Sequence, residues 1–134
     1  MSGADRDKLR IKSTGEIFTP TPLVNEILDQ LPKGVFKDPH KTFLDPSCGD
    51  GQFLSEVLIR KLQHGHTMEQ ALSTIYGVEL MADNVKLCQD RLLCGHEQFR
   101  HIVDQNIVCA DALTYDYSFG KPITFGQGDL FTIG

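Results

Sequence analysis

The sequence lacks several features, and each absence narrows the class of protein. No apolar run approaches the roughly 20 residues that a membrane-spanning helix needs, and the first ten residues contain no apolar segment of the signal-peptide type. The four cysteines (Cys48, Cys88, Cys94, Cys109) form no C-x-x-C pair. With 23% charged and 40% hydrophobic residues, the chain resembles an ordinary globular protein, and we expect reduced thiols and a cytoplasmic location.

Positive charge is also scarce. The chain carries 13 Lys and Arg against 18 Asp and Glu, for a net charge of -5. A protein that binds nucleic acid by itself usually has a basic face or stripe. The densest basic stretch, residues 6–12, is interrupted by Asp7 and is typical of a solvated tail. The sequence therefore predicts no self-sufficient surface for nucleic acid.

The length of 134 residues fits one domain, which we expect over residues 15–134 behind a flexible tail at 1–14. Periodicity and turn residues predict alternating strands and helices. Helices are expected from Thr21, as cap, to before Pro32, and at 52–63, 67–73 and 82–93. Strands are expected at 42–45, at 74–79 and from 107–109 on to Asp111, with a fourth at 123–125 or 130–133. The expected buried helix positions are Leu23, Val24, Ile27, Leu28, Leu31, Phe53, Leu54, Val57, Leu58, Leu62, Val85, Leu87, Cys88, Leu92 and Leu93. This alternation predicts a doubly wound, mostly parallel α/β sheet with right-handed crossovers.

The stretch from Phe43 to Leu54 combines a buried strand, a turn with Gly49 and Gly51, and the start of a helix near Gln52. The two glycines permit a sharp turn, and the helix directs free N–H groups towards an anion or the acid end of a zwitterion. Leu54 stands where the dinucleotide fingerprint has its third glycine. The pattern therefore favours a nucleotide-type cofactor other than NAD.

Each of the first three predicted strands ends in an acidic residue: Asp45, Glu79 and Asp111. Ligands of open α/β sheets bind beyond the carboxyl ends of the strands, where a carboxylate after the second strand accepts hydrogen bonds from ribose hydroxyls. Glu79 fits that position, Asp111 can accept from an exocyclic amine, and Asp45 can pair with an ammonium group. Leu80 and Met81 offer apolar area to a purine. The predicted ligand has an adenosine, a ribose diol and an amino-acid end.

Each residue also has a simpler interpretation. Asp45 before Pro46 can form a turn, Glu79 can be a surface acid and Asp111 can cap a turn at Ala112; together, at consecutive strand ends, they favour a ligand site. Cys48 at a helix N-terminus is a candidate for a lowered pKa, although no histidine is near it in sequence. Cys94, His96 and His101 lack the paired spacing of a metal site, and His64 and His66 flank Gly65, a predicted helix stop, so we predict no metal.

These segments resemble the N6-adenine DNA methyltransferases, particularly the M subunits of restriction-modification systems. Gly15 to Pro20 is similar to that family's F-T-P motif, Asp45 to Leu54 to its D-P-x-C-G-x-G-x-F-L motif, Gly77 to Leu80 to its ribose motif and Ala110 to Leu113 to its adenine motif. The order is that of the gamma-type arrangement. The resemblance implies a Rossmann-like methyltransferase fold truncated after about the fourth strand, with S-adenosyl-L-methionine (SAM) as cofactor. It implies cofactor contacts at Phe18, Thr19, Pro20, Asp45, Pro46, Cys48, Gly49, Gly51, Phe53, Glu79, Leu80, Asp111 and Ala112.

The family's catalytic motif, [N/D]-P-P-[Y/F], has no counterpart, because the sequence contains no Pro-Pro pair. The resemblance therefore implies the SAM-binding portion of a DNA adenine methyltransferase in a prokaryotic or phage-infected cell. Methyl transfer and DNA contact would come from a missing domain or from a complementary methyltransferase subunit. The alternative is a catalytically inert SAM-binding module, such as a phage or mobile-element remnant that modulates a host enzyme.

Overall fold

The structure, a computed structural model, describes residues 19–32, 34–120 and 130–132. The helices are α1 (Thr21–Asp29), α2 (Gln52–Gln63), α3 (Met68–Leu72), α4 (Ala82–Leu93) and α5 (Arg100–Asn106), with a 3-10 turn at Glu97–Phe99 before α5. The strands are β1 (Thr42–Asp45), β2 (Ile75–Glu79), β3 (Ile107–Cys109) and β4 (Leu130–Thr132). Of the two candidates for the fourth strand, the second is the one observed; residues 123–125 lie outside the described residues.

The four strands form one parallel sheet in the order β3-β2-β1-β4. Chain order runs from β1 outward to β3 and then resumes on the other side of β1, so strand order reverses next to β1. In doubly wound folds such a reversal marks the crevice where ligands bind. The predicted Rossmann-like α/β fold is confirmed.

The two faces of the sheet are covered differently in the described part of the chain. Apolar residues from all five helices join Phe43, Ile75 and Ile107 in the main core. On the other face, Phe119 lies with its ring centroid 4.9 Å from that of Tyr76 in a smaller, aromatic cluster. Because side chains alternate along a strand, Phe43 and Asp45 project to the helix-covered face.

The start of α1 differs from the prediction by one residue. Pro20, not Thr21, is the N-cap: its backbone is extended and its carbonyl accepts the N–H groups of Leu23 and Val24, both at 3.0 Å. No side-chain hydrogen bond caps this helix in the described residues. Pro20 is therefore itself the extended residue that precedes the helix, since the fixed φ of proline suits both an extended residue and a helix start.

On the helices, the sequence predicts a buried stripe that is wider than the one observed, because four of the predicted positions are exposed. Leu23, Ile27, Leu62 and Leu87 are 37–45% exposed, although each fits the helical repeat. Each of these helices buries one side only, so the buried stripe is narrow; in α1 it consists of Val24 and Leu28.

Lys61 of α2 occupies a fully buried position beside the exposed Leu62. Its Nζ donates to the carbonyl of Lys41 at 2.9 Å and lies 4.8 Å from the ring centroid of Phe43. Burial lowers the pKa of Lys61 from 10.5 to about 8, with the charge of Asp38 partly opposing. The aliphatic stem supplies the apolar contact that a leucine was expected to make.

This buried amine predicts a specific pH dependence of stability. Between about pH 8 and 10.5 the unfolded chain keeps the Lys61 proton and the folded chain releases it, so the free energy of unfolding rises with pH in that window. We expect Lys61→Met to remove this rise, which is about 2 kcal/mol between pH 7.5 and 9.5. Urea denaturation at pH 7.5 and 9.5 measures it, with the exposed Lys37→Met as control. An equal pH dependence in wild type and Lys61→Met would contradict the assignment.

The segment before β3 was not predicted to be helical. It forms the 3-10 turn and α5, in which Val103 is buried and Ile102 packs against the main core. Two apolar residues are too few to give a helical repeat, and salt bridges of Arg100 with Glu97 and Asp90 help to hold the segment.

Among the described residues, no helix has the length and apolar character to cross a bilayer.

Candidate functional site

A loop of residues 46–51 joins β1 to α2 and is tied to β2. The Cys48 N–H donates to the Val78 carbonyl at 3.1 Å, and the Gly51 N–H donates back to Cys48 at 2.9 Å. Gly49 and Gly51 have φ values of 55° and 97°, in the left-handed region that glycine adopts without strain. The sharp turn expected from the two glycines is present.

Helix α2 begins directly after this loop, with Gly51 as its N-cap. Glycine has no side chain to cap the helix, and no side-chain capping bond is found in the described residues. The first N–H groups of α2 therefore lack a side-chain acceptor. Together with the helix dipole they suit a bound carboxylate or phosphate.

Asp45 ends β1 and is only 2% exposed. Its Oδ1 accepts the Ser47 N–H at 3.0 Å. Burial raises the pKa of Asp45 to about 7; the nearby charge of Glu79 adds to the rise, and the Ser47 bond partly offsets it. Asp45 thus titrates near neutrality, and an arriving cation would favour its ionised form.

Glu79 ends β2 and is also buried. Its Oε2 accepts the Met81 N–H at 2.9 Å and the side-chain amide of Asn84 at 3.3 Å. Within the described residues, no Lys, Arg or His side chain forms an ion pair with Asp45 or Glu79. The site is therefore a pair of buried carboxylates that would attract a positively charged or hydroxyl-rich ligand.

The strand register offsets Asp45 and Glu79 along the strand direction. Asp45 lies opposite Gly77, and Glu79, two residues further along β2, lies opposite Cys109. Asp45 and Glu79 thus project from one face, one strand apart (about 4.8 Å) and about 6.6 Å along the strand direction. Two acids that are offset in this way suit an elongated ligand that reaches from one to the other.

Asp111 is exposed and lies two residues beyond β3, which ends at Cys109 and not at Asp111 as predicted. Its Oδ1 accepts the Leu113 N–H at 2.9 Å, so it forms the turn that its simpler interpretation predicts. Nearby, Leu80 is 66% exposed and Ala112 is half-buried. Asp111 is therefore less enclosed than the other two acids.

Sequence reasoning missed a second layer of contacts beneath the loop. Arg91 of α4 donates from Nε to the Asp50 carbonyl at 3.0 Å, and its Nη2 lies 3.4 Å from Asp50 Oδ2. Asn84 supports Glu79 in the same manner from the first turn of α4. The sequence carries one signal for the role of Asn84, a polar residue on an otherwise apolar helix face. It carries no signal for the role of Arg91, which is 41 positions from Asp50 along the chain.

The loop packs closely on β2 at Gly77. A Cβ atom at this position would lie 2.8 Å from Cys48 Sγ and 3.0 Å from Leu54 Cδ1, closer than van der Waals contact allows. The glycine of the predicted ribose motif is thus required for the approach of the loop to the strand.

We expect Gly77→Ala to lower the free energy of unfolding by about 2 kcal/mol because of this overlap. Denaturant unfolding measures the loss. Cys48→Ala removes the nearest atom, so the double variant Gly77→Ala/Cys48→Ala should lose less than the sum of the two single variants. Simple additivity of the two losses would show that the Cys48 contact is not the cause.

All four cysteines are free thiols, two of them buried and two exposed. The suggestion of a lowered pKa at Cys48 is wrong: its hydrogen bond with Cys88 and its burial raise the pKa of the thiol. Both sulfurs are buried, so Cys48 has a packing role beneath the loop and not the electropositive, accessible setting of a reactive thiol.

The remaining predicted residues are more dispersed. Phe53 packs against the main core, Pro46 and Thr19 are half-buried, and Pro20 is exposed at the start of α1. Phe18 lies outside the described residues. Cys94 and His96 each contact a carbonyl of their own helix end, Arg91 and Leu93 respectively, and no group of three metal-binding side chains is found in the described part of the chain.

An open parallel sheet, a glycine turn after β1 and buried acids at the strand ends define a Rossmann-like α/β protein. The chain belongs to the N-6 DNA methylase family, whose sequence profile matches residues 7–123. It is similar to the type II methyltransferase M.VspI of Vibrio sp. (strain 343), with 30% identity over 105 residues. The alignment covers 77% of this chain and 22% of that methyltransferase, so the chain corresponds to about a fifth of its relative.

Proposed function

We propose that the chain binds SAM at the carboxyl edge of β1 and β2, as the cofactor-binding part of a DNA adenine-N6 methyltransferase. The observation that supports this most is the pair of buried acids, Asp45 and Glu79, which lack an ion-pair partner in the described residues. Burying two carboxylates is costly unless a ligand compensates them. Family membership supports a methyl-donor cofactor.

The amino-acid end of SAM is assigned to Asp45 and the loop. The ammonium group would pair with Asp45, and the carboxylate would accept N–H groups at the start of α2. Cys48, Gly49 and Gly51 shape this loop, Pro46 begins it and Phe53 follows it in α2. Phe18, Thr19 and Pro20 would close over the methionine part. An ammonium next to Asp45 would lower the pKa of that carboxyl, so binding below pH 7 should release a proton.

The nucleoside end is assigned to Glu79 and the residues after it. The free side of the Glu79 carboxylate would accept the ribose hydroxyls, while its charge would reject a 2′-phosphate. The exposed Leu80 and the neighbouring Met81 would cover one purine face. Asp111 and Ala112 would border the exocyclic amine, with one Asp111 oxygen already used in its turn.

This assignment gives the chain the role of binding and orienting the methyl donor. In N6-adenine methyltransferases the [N/D]-P-P-[Y/F] motif holds the flipped base, and the 134 residues contain no Pro-Pro pair. Methyl transfer to DNA would therefore need that motif on another chain or segment, which would also supply most contacts to DNA.

Two measurements separate binding from catalysis. SAM should raise the melting temperature, and NADP, which carries a 2′-phosphate, should not. Transfer of a radiolabelled methyl group to DNA should be absent with this chain alone and should appear with the product of the adjacent downstream gene. A thermal shift without methylation under any combination would favour the inert SAM-binding module; absence of any shift would contradict the proposal.

A further inference from the structure

Asn84 is a buried polar residue in the first turn of α4. The residue is 3% exposed and lies on the helix face that carries the buried Val85 and Cys88. An amide in such a position destabilises the fold unless its hydrogen-bonding groups are satisfied. One of its partners is Glu79 Oε2, which its Nδ2 meets at 3.3 Å.

We infer that Asn84 is a positioning residue that, with the Met81 N–H, holds the Glu79 carboxylate so that Oε1 faces the ribose of the bound nucleoside. Both donors contact the same oxygen, Oε2. The carboxylate is thereby fixed about its terminal torsion, which is otherwise broad. The ligand would find an acceptor already oriented, so less conformational freedom is lost on binding.

The chemistry of the donor supports positioning over charge compensation. A lysine or arginine at position 84 would also satisfy Glu79, but it would neutralise the charge that the ribose hydroxyls need. A neutral amide and a backbone N–H orient the carboxylate and leave its charge in place. Asn84 therefore acts through Glu79 and does not itself have to contact the ligand.

This inference rests on the proposed SAM site, and ribose discrimination tests it. S-adenosylhomocysteine and its 2′-deoxyribose analogue should be titrated calorimetrically into wild type, Asn84→Ala and the isosteric Asn84→Asp. The preference for the ribose form should fall about tenfold in Asn84→Ala, the value of one hydrogen bond to a charged group. Affinity for the 2′-deoxy ligand should change little. Asn84→Asp should show the same loss if the alanine variant does not fold.

The same substitution in a Glu79→Gln variant tests whether Asn84 acts through Glu79. In Glu79→Gln the preference should already be lost, and adding Asn84→Ala should not reduce it further. Asn25→Ala, on the remote α1, is the matched control and should keep the wild-type preference. Equal weakening of both ligands by Asn84→Ala, or a further loss of preference in the Glu79→Gln background, would overturn the inference. Failure of wild type to bind either ligand would instead contradict the SAM site itself.

Discussion

Replacing Asp45 with asparagine is expected to stabilise the ligand-free protein and to weaken SAM binding by about 100-fold or more. The two effects have one cause, since the buried carboxylate is unfavourable without a cation and is the group that the SAM ammonium would pair with. The rise in the pKa of Asp45 from 3.8 to about 7 represents at most ~4 kcal/mol. Recovery of half of this would raise the melting temperature by about 6 °C. Asparagine retains the oxygen that accepts the Ser47 N–H.

The raised pKa of Asp45 determines how the stability of the protein changes with pH. The folded state binds the Asp45 proton more tightly than the unfolded chain, so this residue's contribution to stability is complete below about pH 4 and is lost as pH rises through about 7. Melting curves from pH 5 to 8 should show this loss in wild type and not in Asp45→Asn. Asp104→Asn, at an exposed position of α5, is the control. A lower melting temperature for Asp45→Asn at pH 8, or unchanged SAM affinity, would refute the assignment.

Replacing Glu79 alone with glutamine should also reduce SAM affinity by about 100-fold, because the ribose loses a charged acceptor. Glutamine keeps an oxygen for the Met81 and Asn84 donors, so the fold should tolerate it better than alanine. Removing the Glu79 charge should also lower the pKa of Asp45, which that charge helps to raise. The loss of stability with rising pH should therefore be smaller in this variant, and it should be complete at a lower pH than in wild type.

Calorimetric titration with SAM and melting curves across pH 5 to 8 measure the two effects together. The exposed Glu69→Gln in α3 changes the net charge equally and should have neither effect. SAM affinity in Glu79→Gln equal to that of wild type would remove Glu79 from the site. An unchanged pH profile would show that the two acids are not electrostatically coupled.

The strands and most helices could be predicted because their signals are local. Short apolar runs ending in Asp45 and Glu79 fix where β1 and β2 end, and glycines mark the turn that follows β1. The order of the strands follows from right-handed crossovers, apart from the placement of β4 beside β1. The edge of the sheet where the acids gather was therefore accessible from the sequence.

Features that depend on contacts between distant residues could not be predicted. The burial of Lys61 depends on the Lys41 carbonyl, and the exposure of Leu62 follows from which side α2 packs on. The raised pKa of Cys48 depends on Cys88, forty positions away, and the support of Glu79 depends on how α4 is placed over β2. Helical periodicity gives the repeat of a helix and not the width of its buried stripe.

Isothermal titration of the wild-type protein with SAM at pH 6.5, in two buffers of different ionisation enthalpy, tests the central claim most directly. The account predicts one SAM bound per chain, with net release of a fraction of a proton to the buffer as Asp45 ionises against the ammonium group. The release should vanish in Asp45→Asn wherever residual binding is measurable. Absence of binding, or binding with the same proton release in Asp45→Asn, would contradict a SAM site built on the acids that end β1 and β2.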